Sequence, residues 1–414
     1  MNEIVVYVAL IIVWVVYFLY HIKKVNISWL FSILFLLIYG YGYVSYQIDM
    51  ENIEQEHIKT LTVLLTCFVI FFNIGNKLFF LHKNNDNLNY MTWMQQEEKP
   101  VYFQKKMMYV VSLIAVVVIL MGLFFYNGIN ALKTVFTSPL ISPEDFNELR
   151  EDAGVEGWIA PIYAYMITAI GRFFAFLGLA YAIKTKNKIA LVFFGFYNLT
   201  ILVGLLGNLS KSAAFIFLFQ LIFLFTLIKN YTLNFKKILI FFGSFLVLLI
   251  SIYIFTTGVE DSSAALDLIK YRIFSEPNRV LSLYTEYYPK YYSHTNGMNI
   301  RLIHGLFGHG DYVSSDVKLA NFKGTVNAFF IGDAWVDFSY IGVIIESLFL
   351  GIYLAFLDSY IFKQKSLVTQ VIFACILLGV LSLPSLPMLP CMITFGLLSV
   401  VLLSKFIRLK IVFK

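Results

Sequence analysis

Stretches of about 20 apolar residues follow one another along nearly the whole chain, and each is long enough to cross a ~30 Å hydrocarbon core as a helix. Inside hydrocarbon a helix satisfies its own backbone N–H and C=O groups, so an all-α polytopic membrane protein is the expected fold class. Only 14% of the 414 residues are charged, against about 25% in an ordinary soluble domain. The deficit runs the full length, which excludes a soluble protein with one anchor. It also excludes a secreted enzyme, a nucleic-acid binder and a cytoplasmic dehydrogenase. Spans are expected near 3–22, 27–48, 58–81, 107–126, 159–183, 189–207, 213–229, 238–256, 338–361, 367–385 and 390–407. Eleven such helices form a single integral membrane domain, residues 1–414, with two extracytoplasmic loops at about 127–158 and 257–337. The first stretch lacks the basic flank of a signal peptide and reads as a retained helix.

The connecting segments alternate in charge. His21 to Lys24, residues 82–106, Lys184 to Lys188, Lys229 to Lys237, Lys363 to Lys365 and Lys405 to Lys414 together hold about 18 of the 31 Lys and Arg residues. These segments and their edges carry only about four acidic residues, Asp86, Glu97, Glu98 and Asp358. By the positive-inside rule these segments are cytoplasmic, which puts the N-terminus outside and the C-terminus inside. Cys67, Cys375 and Cys391 lie in apolar stretches without CxxC spacing, so neither a disulfide framework nor a metal knuckle is expected.

Polar residues with chemical potential gather on the outer side. Six acids lie between Glu144 and Glu156 around one cation, Arg150. Arg150 reads either as an anion clamp, since guanidinium grips phosphate with two parallel hydrogen bonds, or as a solvated surface charge. In the larger loop, Ala264 to Tyr288 is amphipathic and broken at Pro277, where Ser275 can cap a second helix. Arg272 and Arg279 flank that break and can project into one concavity. Tyr284, Tyr287, Tyr288, Tyr291 and Tyr292 follow, either stacking on sugar rings or sitting as interfacial aromatics. His304, His309 and Asp311 complete no metal motif, and a histidine there is better placed as an acid or base.

Asp333 and Asp337 stand four apart, on one face of the helix that opens the ninth span. They serve either in catalysis or in pairing with an arginine of the same loop, because unpaired acids at that depth are costly. Arg172 lies near the middle of the fifth span, where an arginine costs roughly 2.5–3.5 kcal/mol. It is a functional candidate, with snorkelling or a pair with Glu346 as the structural alternative. Lys211 sits at a short outer turn, Asn208 to Ser212, within reach of head groups.

Three segments carry a family resemblance: Tyr271-Arg272-Ile273-Phe274 followed by Pro277 and Tyr284; Asn327 to Gly342, reading NAFFIGDAWVDFSYIG; and the small-residue turn Asn208 to Ser212. With the span pattern and a large late outer loop, they make the chain resemble the Wzy-type oligosaccharide repeat-unit polymerases of bacterial surface-polysaccharide assembly. Ser339 departs from the glycine expected there. The resemblance implies a metal-independent, GT-C-like glycosyltransferase without cofactor in the bacterial cytoplasmic membrane. Such an enzyme transfers a growing glycan from undecaprenyl diphosphate to another lipid-linked repeat unit, building O-antigen or capsule. It implies Arg150, Arg272 and Arg279 as diphosphate ligands, with Lys211 and Arg172 carried as further cations for the same group and Tyr284, Tyr288, Arg301 and Asn327 as candidate glycan contacts. His309, Asp333 and Asp337 are unranked candidates for the base. Implied partners are the lipid-linked oligosaccharides, membrane lipids, a chain-length regulator and a flippase, with no nucleic acid. The alternatives are an O-antigen-ligase-like enzyme and a lipid-linked oligosaccharide flippase.

Overall fold

The computed structural model describes residues 2–20, 25–49, 55–81, 88–125, 128–137, 155, 159–207, 211–231, 247, 266–308 except 268, 313–319 except 316, and 329–408. Among these residues every regular element is helical. The helices are α1 (Asn2–Tyr20), α2 (Ile27–Phe35), α3 (Gly42–Asp49), α4 (Gln55–Leu81), α5 (Tyr90–Gln95) and α6 (Lys105–Phe125). Next come α7 (Gly128–Thr137), α8 (Ile159–Ile167), α9 (Ile170–Thr185), α10 (Lys188–Gly207) and α11 (Lys211–Ile228). The last group is α12 (Glu276–Tyr287), α13 (Arg301–Phe307), α14 (Phe330–Phe362), α15 (Leu367–Ser382), α16 (Met388–Ile393) and α17 (Ser399–Arg408).

Six helical stretches among the described residues are long and apolar enough to cross a membrane: Ile27–Val44, Lys59–Phe80, Lys105–Phe125, Ile159–Thr185, Lys188–Gly207 and Phe330–Phe362. Ile4–Val16, Ala213–Ile228 and Leu367–Ser382 are apolar but shorter. These nine coincide with nine of the eleven expected spans. The expected span 238–256 falls outside the described residues. The expected span 390–407 is not one helix: α16 stops, Gly396 takes a φ of +94°, and α17 restarts at Ser399. A glycine in that conformation ends helices.

The chain divides into two compact units. The first comprises Met1–Trp93, Ile269–Lys363 and Val380–Pro390; the second comprises Met94–Leu268, Gln364–Gly379 and Cys391–Lys414.

In the first unit α4 and α14 form the main helix pair. A Cβ on Gly75 would stand 2.3 Å from the Leu348 carbonyl oxygen, and one on Gly351 would stand 2.2 Å from that of Phe72. Only glycine permits backbones this close, the device by which membrane helices gain packing that lipid cannot drive. Rings of Phe31, Phe35, Tyr39, Phe68, Phe72 and Phe329 fill the space beside this pair, with Phe35 and Phe68 centroids 4.5 Å apart. At the other end of α14, fully buried Asp358 accepts from the Ile27 N–H (2.6 Å) and the Ser28 hydroxyl (2.5 Å). A carboxylate there meets the positive end of α2. It also joins the ends of two helices that the charge pattern assigns to one side.

In the second unit the same grouping appears. The Lys184 ammonium bonds Glu98 at 2.7 Å, the Lys99 N–H meets the Lys365 carbonyl, and the Gln104 N–H meets that of Ile407. Four of the segments read as cytoplasmic therefore lie together. The core of this unit holds Arg172, 1% exposed, whose guanidinium donates to Gln220 Oε1 at 2.5 Å and to the Ile167 carbonyl at 3.2 Å. It also lies 5.2 Å from the Phe217 ring centre. Gln220 is in turn anchored by its amide to the carbonyls of Ala374 and Cys375.

Candidate functional site

From Ile269 onward, the described polar residues of the segment expected as the large outer loop belong to the first unit. A π-helical turn, Tyr271–Ser275, runs into α12 with Pro277 as its second residue, where the missing N–H costs nothing. Ser275 stands at the cap but its side chain makes no capping bond. Backbone contact fixes this turn against α3, because a Cβ on Gly42 would stand 2.6 Å from the Phe274 carbonyl oxygen. The buried amide of Asn278 donates at 2.8 Å to the carbonyls of Ile38 and Phe274.

At this junction Arg279 grips Glu276 with two bonds, Nη2–Oε1 at 2.8 Å and Nε–Oε2 at 3.2 Å. That hydrogen bonding holds the Glu276 carboxyl below the usual carboxylate range, and the charge of Arg272 acts in the same direction. Arg279 is thus committed to Glu276, and Arg272 adds only its charge to the field at that carboxylate. Arg272 is exposed to solvent.

Tyr284 and Tyr288 are each 1% exposed, so neither presents a ring face for a sugar to stack on. Tyr291 is 60% exposed, and the Tyr287 ring packs against those of Tyr291 and Tyr292. Among the described residues the buried Tyr288 hydroxyl meets no hydrogen-bonding partner. Burial, the Tyr292 phenol and the Asp333 and Asp337 charges push its pKa up to about 12, so it stays a proton donor at neutral pH.

Asp333 and Asp337 occupy the first two turns of α14, and a compact turn binds both. Thr295-Asn296-Gly297-Met298 has positive φ at Asn296 (51°) and Gly297 (89°), and its ends join through Met298 N–H to Thr295 C=O at 3.1 Å. This is a type I′ turn, which calls for Asn-Gly at its centre. Asp337, 3% exposed, accepts from the Thr295 hydroxyl and from the Asn299 N–H at 3.1 Å. Half-buried Asp333 accepts through Oδ1 from the Asn299 amide at 2.9 Å and the Ser315 hydroxyl at 3.1 Å. Asn299 Oδ1 accepts in turn from the Ser315 N–H at 2.8 Å. Asn299 therefore bridges both acids.

Beside them the Trp335 indole donates to the Tyr288 carbonyl at 3.1 Å and receives the His294 ring edge-on. Glu346, further along α14, lies within electrostatic reach of both aspartates.

Sequence reasoning missed Thr295, Asn299 and Ser315. The Asn296-Gly297 pair, a strong turn signal, was the visible clue to the first two. Arg150, His309 and Asn327 lie outside the described residues. Lys211 and Arg301 open α11 and α13. Among the described residues no three His, Cys, Asp or Glu side chains are grouped to hold a metal ion. No protein-family model, curated protein or solved structure matches the chain.

Proposed function

We propose that this chain is a membrane glycosyltransferase that polymerises undecaprenyl-diphosphate-linked oligosaccharide repeat units at the outer face of the bacterial cytoplasmic membrane. The observation that carries this reading is the composition of one compact unit. Two guanidinium groups, Arg272 and Arg279, gather at the start of α12, while a half-exposed carboxylate, Asp333, is held at the start of α14. Displacing a lipid diphosphate from an anomeric carbon needs fixed positive charge for the leaving group and a base for the acceptor hydroxyl. Both kinds of group are here, on the side that the charge pattern assigns to the exterior. Arg172 takes no part in this reading, since Gln220 and backbone hold it inside the second unit.

The test is reconstitution of the purified chain in proteoliposomes with a lipid diphosphate-linked repeat unit. A glycan ladder spaced by one repeat, and its loss in Arg272→Ala, is the expected result. Extension of a lipid A core acceptor alone would replace the polymerase with a ligase. Passage of the lipid-linked oligosaccharide across the bilayer with no new glycosidic bond would replace it with a flippase.

A further inference from the structure

We infer that Glu276 is an internal anion that occupies the guanidinium fork of Arg279 until a lipid diphosphate displaces it, and that returns to the fork when the diphosphate leaves. This exchange rests on the polymerase reading and adds a regulation to it, since Arg279 serves a leaving group only after Glu276 lets go.

Three observations carry the exchange. The first is the shape of the contact. Arg279 presents its side-on edge, with Nη2 2.8 Å from Oε1 and Nε 3.2 Å from Oε2. Two parallel bonds to two oxygens are also what a guanidinium offers a phosphate, so the carboxylate stands in for one phosphate group. Glu276 and a phosphate cannot hold that edge together.

The second is access. The side chains of Arg279 and Glu276 keep 20% and 31% of their surface exposed. An incoming anion meets this pair from solvent, whereas the guanidinium of Arg172 is sealed.

The third is what stays still. The Arg279 carbonyl accepts from the Ser282 hydroxyl at 2.7 Å, and that hydroxyl pairs with the Tyr46 hydroxyl of α3 at 2.8 Å. Asn278, beside Arg279 and fully buried, ties the same turn to the Ile38 and Phe274 carbonyls. The backbone under Arg279 is therefore anchored, while Glu276 leaves by rotating its side chain. The Tyr271 phenol bonds the same carboxylate and gives it a partner once the fork is taken.

Charge selects the displacing ligand. Between Ile269 and Thr285 three cations, Lys270, Arg272 and Arg279, stand against one acid, Glu276. A singly charged phospholipid head group brings no more charge than the carboxylate it would displace. A diphosphate brings more, so one phosphate takes the fork while the other meets the field of Arg272, which already acts at that carboxylate. Glu276 thus keeps ordinary anionic lipids off Arg279, as an element built against the wrong ligand. Its return helps expel the spent lipid diphosphate.

The experiment is isothermal titration calorimetry of the full-length protein in detergent, with inorganic pyrophosphate and with farnesyl diphosphate as probes. Glu276→Gln is expected to bind both about two- to sixfold more tightly than wild type, the factor by which an internal competitor of ordinary ion-pair strength lowers apparent affinity. In an Arg279→Gln background the same change is expected to give no gain. Equal or weaker binding by Glu276→Gln overturns the exchange, and so does a gain that survives in Arg279→Gln, which would be long-range charge alone. A gain with pyrophosphate but not with farnesyl diphosphate overturns the assignment to a lipid diphosphate. Should Glu276→Gln not fold, Glu276→Asp withdraws the carboxylate by one methylene; tighter binding then supports the exchange and unchanged binding overturns it. Ladder growth by the wild-type protein is measured separately. A protein that makes no ladder but shows the Arg279-dependent gain loses the polymerase reading and keeps the exchange, and one that makes a ladder without the gain keeps the reading and loses the exchange.

Discussion

Replacing Ser339 by glycine should stabilise the protein. Ser339 has φ 57° and ψ −147°, directly after Phe338 at φ −135° and ψ 20°, where α14 breaks and restarts. That region is essentially reserved for glycine, because any Cβ meets the flanking backbone, and a residue held in a sparsely populated region costs of order 1–3 kcal/mol. Glycine would remove that strain and give back about 0.4–1 kcal/mol through the greater freedom of its unfolded chain. The difference leaves Ser339→Gly more stable by about 0.5–2 kcal/mol. Ser339→Ala keeps a Cβ and should gain nothing, which makes it the control. Chemical unfolding in detergent, followed by tryptophan fluorescence, reads the local unit directly because Trp335 lies four residues before the break. A glycine variant no more stable than wild type, or an alanine variant equally stabilised, would refute the strain argument.

Gln220→Leu should destabilise the second unit by about 2–3 kcal/mol, since it strips a hydrogen bond from a buried charge. The double variant with Arg172→Leu should lose less than the sum of the two single variants in a thermodynamic cycle. Gly351→Ala should cost about 1–3 kcal/mol or more by forcing α4 and α14 apart, because its Cβ would meet a backbone oxygen at 2.2 Å; thermal unfolding checks this. Glu276 is held below the ordinary carboxylate range by Arg279, so its contribution is complete above its unfolded value and fades as pH falls through the lowered one. In Glu276→Gln, the acid side of the stability profile should flatten.

The membrane character and the places of most apolar helices were legible because hydrophobic length is a local property of the sequence. Nine apolar helices stand where expected, and the basic loops of the second unit meet one another. The break at Gly396 was not legible, because an apolar stretch gives the same signal whether its helix continues or stops. Within the site, the spacing of Asp333 and Asp337 correctly put both on one face. What it could not give was their difference. That comes from Asn299 and Thr295, 34 to 42 residues earlier in the chain, and from Ser315, 18 residues from Asp333. Tyr284 and Tyr288 were misjudged as surface aromatics, since a tyrosine-rich stretch looks alike whether its rings face a sugar or the core.

The breaks in the spans explain why polar residues stand where the sequence made them look catalytic. In hydrocarbon a carbonyl released from its helix must find another donor. The π-helical turn Leu36–Tyr41 opens the second span, and the hydroxyl of Tyr7 donates to the Tyr39 carbonyl while Asn278 donates to that of Ile38. At the interruption at Thr168 and Ala169 the Ile167 carbonyl accepts from Arg172, and the Tyr197 hydroxyl donates to the Gly171 carbonyl just beyond it. At Phe338 and Ser339 the donors are backbone: the Thr295 N–H takes the Val336 carbonyl and the Asn296 N–H takes that of Asp337, each at 2.9 Å. Arg172 is thus accounted for by the helix it closes. The turn at 295–299 has a double use, since the same few residues that cap the broken α14 also supply the hydrogen bonds that orient Asp333 and Asp337. A helix break within a span therefore creates the demand for a polar loop, and that loop, once docked, supplies hydrogen bonds that orient two carboxylates.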